Sequence, residues 1–272
     1  MFHVHPIDSL ELAELAPYRT LKRSVTHEAL GIFVAEGDKV VRRLLESSFT
    51  VVSLLLPEKR LAEFEPLLRA RREDIRVFTA ANMAVLDTLV GFDLYQGVLA
   101  IGKIPSSLSL DDALARSAKP RLFAAVDALS NAENLGAVVR NCAAFNVQAL
   151  IVGETSASPF LRRSVRNSMG TIFRLPVVET AHLAHSLREL RDHGVRCIAA
   201  HLQTGGRTIS GADFTGDCCV VFGSEGHGIS SGVLDACDDA VAIPMPPDID
   251  SLNVGAAAAV FLYEVNRQRG KG

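Results

Sequence analysis

The sequence predicts an α/β fold in two parts, each a sheet covered by helices. Three observations carry that prediction. Apolar runs of strand length alternate with segments whose apolar residues recur at helical spacing. The alternation lapses once, over a Ser- and Pro-rich stretch at 105–120, and then restarts. After the restart the strands are continuously apolar, as in Leu122-Phe-Ala-Ala-Val126 and Cys218-Cys-Val-Val-Phe222, which is the pattern of a mostly parallel sheet buried on both faces.

In the first part, Ile32–Ala35 reads as a strand. Asp38–Glu46 follows as a helix with one apolar face and Asp38 as its N-cap. Thr50–Leu56 is a buried strand ended by Pro57, which has no N–H for a ladder. A charged helix is predicted over Glu58–Arg72, then a strand at Ile75–Thr79, a short helix, and a strand at Gly97–Ile101. Residues 105–120 read as a linker between units 1–104 and 121–272. The second unit opens with strand Leu122–Val126 and a helix over Leu135–Phe145, with Asn146 suited to the left-handed conformation that ends a helix. Strand Ala149–Val152, helix His182–Asp192, strands Arg196–Ala200 and Cys218–Phe222, and a terminal helix Asn253–Arg269 complete it.

Composition narrows the function. With 272 residues, 48% hydrophobic and 22% charged, the chain is ordinary globular material with ample core. Trp is absent and the net charge is -3, so a nucleic-acid partner has to be met by local basic patches, not by a global field or an extended ring-stacking surface. The five cysteines show no C-x-x-C spacing, and Cys218 and Cys219 point to opposite faces of a strand; no metal site is expected. No basic segment followed by an apolar stretch opens the chain, and its longest weakly polar run, Val254 to Tyr263, is too short to cross a bilayer. A reduced cytoplasm is the expected compartment, with no membrane partner.

Three blocks stand out as chemistry. Asn134-Leu-Gly-Ala-Val-Val-Arg140 opens a helix after a strand, so Asn134 is expected to cap it, with Arg140 about a turn and a half on. Gly223-Ser-Glu-Gly-His-Gly228 follows a buried strand, yet it lacks the G-x-G-x-x-G of a dinucleotide fold and carries Glu225 at the strand end where α/β proteins bind ligands. His227 has no neighbour in sequence to orient it and reads as solvent-exposed. Ile243-Pro-Met-Pro-Pro-Asp-Ile-Asp-Ser-Leu-Asn-Val254 is an irregular loop stiffened by three prolines, with Asp250 or Ser251 expected to cap the last helix. Loops rich in Gly, Pro and uncharged polar residues at strand ends are the material of a pocket lined by main chain.

In this order the three blocks resemble the signature motifs of the SpoU (TrmH-like) RNA ribose 2'-O-methyltransferases of the SPOUT superfamily. The resemblance implies a C-terminal trefoil-knotted α/β domain that binds S-adenosyl-L-methionine without a metal and pairs as a homodimer. Carried over position by position, Gly223, Ile243 and Leu252 match main-chain cofactor contacts, with Met245 nearby. Asn134, Arg140, Glu225, Ser251 and Asn253 match the polar catalytic positions. The segment Arg166-Asn-Ser-Met-Gly170, with Phe173 and Leu175-Pro176, is similar to the family's central stretch. Phe33-Val-Ala-Glu-Gly37 and Gln96-Gly-Val-Leu-Ala100 resemble an L30e-like α/β sandwich that binds substrate RNA ahead of the catalytic domain. Three positions depart from the pattern: Ala132-Glu133 in place of a common Pro, Cys142 where Thr is frequent, and Gly255 where Ser usually follows.

The implied reaction is methylation of a ribose 2'-hydroxyl, in large-subunit (23S) ribosomal RNA as first choice and tRNA as second. Arg140 is expected to grip the target's phosphate and ribose rather than to act as a base, because a guanidinium stays charged. Arg162, Arg163 and Arg166, and a second group at Arg19, Lys22 and Arg23, are the basic clusters available for RNA. The rival reading is a non-catalytic RNA-binding protein that kept the knotted fold. Loss of Arg140, Glu225 or Asn253 would mark it, and all three residues are present.

Overall fold

In the computed structural model the chain divides into two compact units, Met1–Ser106 with Phe160–Phe173, and Ser107–Pro159 with Arg174–Gly272. The structure describes all residues except 22–23, 83–84, 87–96, 202–206, 247, 249–250 and 271–272, and the side chains of 24 and 25. Gln96, the predicted short helix before it, Lys22, Arg23 and Asp250 therefore lie outside the described residues, wholly or in large part.

The first unit is built on a five-stranded mixed sheet in the order β1-β4-β3-β5-β2. The strands are β1 (Phe2–Ile7), β2 (Ile32–Glu36), β3 (Val51–Pro57), β4 (Ile75–Ala80) and β5 (Leu99–Lys103). Strand β1 has no counterpart in the sequence reading. It is an edge strand with most side chains exposed, which is why Pro6 is tolerated and why no apolar run announces it. Short helices α1 (Ala16–Arg19) and α2 (Ser24–Ala29) precede β2, and α3 (Asp38–Leu45) and α4 (Leu61–Arg69) follow it. Gly37, at φ +97°, is the N-cap of α3, so Asp38 stands inside the helix and pairs with Arg42 and Arg60 instead of capping.

Residues 160–173 were expected in the second unit, yet they pack as part of the first. The reason is an aromatic cluster: the ring of Phe33 lies 5.9 Å from that of Phe160 and 5.4 Å from that of Phe173, and Phe49 closes the group. A buried carboxylate reinforces it. Glu36 is 5% exposed and accepts from Arg162 at 2.5 Å and Arg166 at 3.2 Å, both in the short helix Arg162–Asn167.

The second unit holds a seven-stranded sheet in the order β10-β12-β9-β11-β6-β7-β8, parallel at each recorded pairing. Its strands are β6 (Leu122–Val126), β7 (Ala149–Val152), β8 (Val177–Glu179), β9 (Arg196–Ala200), β10 (Arg207–Thr208), β11 (Cys218–Phe222) and β12 (Asp239–Ala242). The chain builds outward from β6 to β8, crosses to β9, and then inserts β11 between β9 and β6. The C-terminal ends of β6, β9, β11 and β12 are thereby neighbours, the place where open parallel sheets bind ligands.

The stretch 105–120 is not all linker. Leu110–Arg116 forms a helix, α5, whose Ala113 and Leu114 enter the core of this unit. Its signal was Ser109-Leu-Asp-Asp112: Ser109 Oγ accepts from the Asp112 amide at 3.1 Å, a capping arrangement. The next helix, α6 (Ala132–Ala144), ends as expected, with Asn146 at φ +58° and the Val147 amide bonded back to Cys142. Segment Arg162–Asn167 is α7, followed by α8 (Leu183–Asp192), α9 (Ser231–Leu234) and α10 (Val254–Gln268). Helix α10 lies against α6, joined by Asn141 to the Gly255 carbonyl at 2.6 Å and Asn266 to the Phe145 carbonyl at 2.9 Å. Among the described residues no helix is long and apolar enough to cross a membrane.

Candidate active site

Gly223 is the first residue past β11, and nothing larger fits there. A Cβ on it would lie 2.2 Å from the Gly228 carbonyl carbon and 2.4 Å from the Ile229 nitrogen. The loop it opens is closed on itself, Ser224 and Gly228 exchanging two main-chain hydrogen bonds of 2.9 Å. Gly228 makes the return turn at φ +68°. Glu225 is carried at the tip of this loop, and His227 is exposed beside it, as expected.

Beneath the loop lies a cavity of about 260 Å³. Gly223, Ile243, Met245, Ser251 and Leu252 all line it, so the loops after β11 and β12 form one concavity. Phe222, Val254 and Phe261 supply apolar walls, and Glu225 stands at its edge. Such a cavity suits a ligand with a flat apolar ring system and a few polar atoms to be met by main chain.

One side chain joins the three sequence blocks. Asn253 Nδ2 donates to Asn134 Oδ1 at 3.0 Å and to Glu225 Oε1 at 2.7 Å, and Asn253 Oδ1 accepts from the Gly255 amide at 2.9 Å. Both amide protons and the carbonyl oxygen are thus used. Two expected caps are corrected by this geometry. Asn253, not Ser251 or Asp250, is the N-cap of α10. Asn131, not Asn134, caps α6, its Oδ1 accepting from the amides of Glu133 and Asn134. Asn134 is released from capping because it sits in the first turn, where its side chain can face α10. Among the described residues, the Asn134 amide nitrogen and the second Glu225 oxygen have no hydrogen-bond partner.

Arg140 is not part of this cluster. It is exposed on α6, six residues beyond Asn134, which is about 9 Å along the axis and roughly 120° around it. It lines no cavity described here, and among the described residues it makes no hydrogen bond or ion pair. Arg163 and Arg166 lie on α7 within the other unit, with Arg166 held by Glu36.

Two contributors escaped the sequence reading. Asp127 follows β6, is buried, and accepts from the Ser230 amide at 2.7 Å, fixing the far end of the Gly223 loop. His201 follows β9 and lines the cavity. Both occupy the C-terminal ends of parallel strands, so the rule that singled out Glu225 applied to them equally. Cys142 and Cys218 are buried, and burial pushes the Cys142 thiol up to about 12 and that of Cys218 up to about 11, so each packs as a small protonated filler.

Gly255 is explained by packing. A Cβ there would meet that of Ala137 at 2.9 Å, so glycine lets α10 approach α6 and seat Asn253. Gly255→Ala is expected to lower stability by about 1–2 kcal/mol, because overpacking outweighs the ~1 kcal/mol of helix propensity that alanine offers. Adding Ala137→Gly should recover most of that loss in urea unfolding.

The SpoU rRNA Methylase family model matches residues 121–263. A relative described as an uncharacterized tRNA/rRNA methyltransferase, from Mycobacterium avium (strain 104), is 36% identical over 246 residues, covering 89% of this chain and 72% of its own. The SpoU methyltransferase AviRb from Streptomyces viridochromogenes, solved in complex with the cofactor AdoMet, superposes with a TM-score of 0.81 at 25% identity, over 96% of this chain and 100% of that one. A solved RNA 2'-O ribose methyltransferase superposes with a TM-score of 0.78 at 24% identity, over 99% of each chain, a likeness of fold.

Proposed function

The chain belongs to the SpoU rRNA methylase family of RNA methyltransferases, and we propose that it methylates a ribose 2'-hydroxyl with S-adenosylmethionine as donor. The observation that carries this reading is the Asn253 hydrogen-bond node, which joins Asn134 to Glu225, itself a residue of the cavity lining.

The cavity fits the donor's chemistry. Gly223 brings bare main chain against the ligand, Ile243 and Leu252 continue that wall, and Met245 offers a soft apolar contact. When bound there, S-adenosylmethionine would supply an electrophilic methyl group to the ribose oxygen and leave as a neutral thioether that keeps the electron pair of the broken sulfur–carbon bond, with the hydroxyl proton released.

The residues of the chain align the acceptor and take that proton. Asn134 Nδ2 donates to the ribose, and Ser251 orients it. Asn253 holds Glu225 by one oxygen, which leaves the other to receive the proton. Arg140, charged and uncommitted, grips the target's phosphate and ribose. Arg163 and Arg166 on α7 meet phosphates, and the first unit, Met1–Ser106 with Phe160–Phe173, acts as an L30e-like reader of RNA. The second unit, Ser107–Pro159 with Arg174–Gly272, is the knotted catalytic domain and pairs as a homodimer. Exposed Val260 and Tyr263 on α10 support such pairing, being 40% and 54% accessible. Large-subunit ribosomal RNA is the first-choice substrate and tRNA the second, in the cytoplasm.

Mapping 2'-O-methyl groups in total RNA from cells with and without the gene tests this reading. One site is expected to vanish; an unchanged map would refute it. In a pH–rate profile, Glu225→Gln is expected to lose the acidic limb and about 100-fold in turnover. A profile of unchanged shape would reduce Glu225 to a positioning residue.

A further inference from the structure

A second cavity, of about 420 Å³, opens on the other side of the Gly223 loop. Ser224, Glu225 and Gly228 line both cavities, so this loop is a shared wall with Glu225 in it. The opposite wall is the turn Ala128–Asn131 that follows β6, and Ser230 closes the end.

The second cavity is built, not incidental. Asp127 carries the turn on its own main chain and grips Ser230 with its side chain, its carboxylate 6% exposed and 2.7 Å from the Ser230 amide. One buried residue therefore spaces the two walls. The turn is also fixed from behind, where Ser156 Oγ accepts from the Leu129 amide at 3.1 Å and the Ala157 amide donates to the Leu129 carbonyl at 3.0 Å. Ala128 is held at φ +53°, a conformation an alanine adopts only where its surroundings impose it.

The lining discriminates among ligands. It offers hydroxyls, amides and main chain from Ser130, Asn131, Ser224 and Ser230, with Glu225 and His227 as its ionisable side chains and no lysine or arginine. A phosphate would face the Glu225 carboxylate, with His227 as its sole basic neighbour among the lining residues. A nucleobase with its sugar needs neutral donors and acceptors, and single-stranded RNA can splay such a unit out of its stack.

We propose that this second cavity receives the acceptor nucleoside, one unstacked nucleotide of RNA whose ribose lies at the Glu225 wall. The inference rests on the ribose-methylation reading and locates its acceptor. Glu225 lines both cavities, one oxygen held by Asn253 and the other open to the 2'-hydroxyl, which reaches past that side chain to the donor's methyl group.

Filling the cavity tests it. Ser130 is exposed, and a Cβ on Gly226 would meet nothing within 4 Å, so Ser130→Trp and Gly226→Trp can be accommodated without disturbing the core. The assay uses total RNA from cells lacking the gene and tritiated S-adenosylmethionine, with donor affinity measured separately by calorimetry. Both variants are expected to lose at least about 30-fold in kcat/KM for RNA, while donor Kd stays within about threefold of the parent and reports an intact fold. Turnover within about threefold of the parent in both variants overturns the assignment alone. Loss of donor binding in both also overturns it, since the cavity would then serve the donor. If the parent itself neither binds the donor nor methylates RNA, the underlying reading falls and takes this one with it.

Discussion

Gly223→Ala is expected to abolish donor binding while leaving the fold in place. The added methyl would lie 2.2 Å and 2.4 Å from the carbonyl carbon and oxygen of Gly228 and 2.4 Å from the Ile229 nitrogen. All three are main-chain atoms, so no side chain can rotate aside. The loop has to open, and the paired hydrogen bonds between Ser224 and Gly228 go with it. A displaced loop removes one wall of the donor cavity and shifts Glu225. The expected result is a loss of at least about 100-fold in affinity for S-adenosylmethionine by calorimetry, against a stability cost of about 1–3 kcal/mol. Affinity within about threefold of the parent would mean that the loop has slack the geometry denies.

Asn253→Asp separates the two roles of that residue. An aspartate still accepts from the Gly255 amide, and it is as good an N-cap as asparagine, so thermal stability should hold within about 1 kcal/mol. What it loses is the donor. A carboxylate would face Glu225 Oε1 at the 2.7 Å now spanned by a hydrogen bond, and two like charges at that range repel until one takes up a proton. Either outcome disables Glu225 as a proton acceptor, and Asn134 is freed as well. Turnover should fall about 100-fold with an unchanged melting temperature. Asn253→Ala, by contrast, should lose activity and about 1 kcal/mol of stability together, because the cap goes too. Equal activity in the aspartate variant and the parent would remove the node from the mechanism.

The helical and strand periods of the second unit were legible because they are local. Leu122–Val126, Ala149–Val152 and Cys218–Phe222 fold as strands where the apolar runs lie. Elements with weak patterns were not legible: β1 is exposed along an edge, β12 is four residues long, and α5 was hidden in a stretch whose Ser and Pro content read as linker. The capping errors share one cause. Several residues near each helix start could cap it, and sequence spacing does not say which side chain faces inward. Asn131 and Asn253 cap because Asn134 is drawn away toward α10.

By itself the sequence determined which segments become the apolar strands and most of the helices, since that depends on residue type and on spacing within a few positions. The tertiary structure decided who meets whom. Asn253 and Asn134 stand 119 residues apart, and only the path that inserts β11 between β9 and β6 and lays α10 on α6 brings them to 3.0 Å. The same holds for Phe160–Phe173, whose aromatic rings are buried on the first unit although the flanking strands belong to the second. Long-range contacts depend on shape and burial, and neither is written in local pattern.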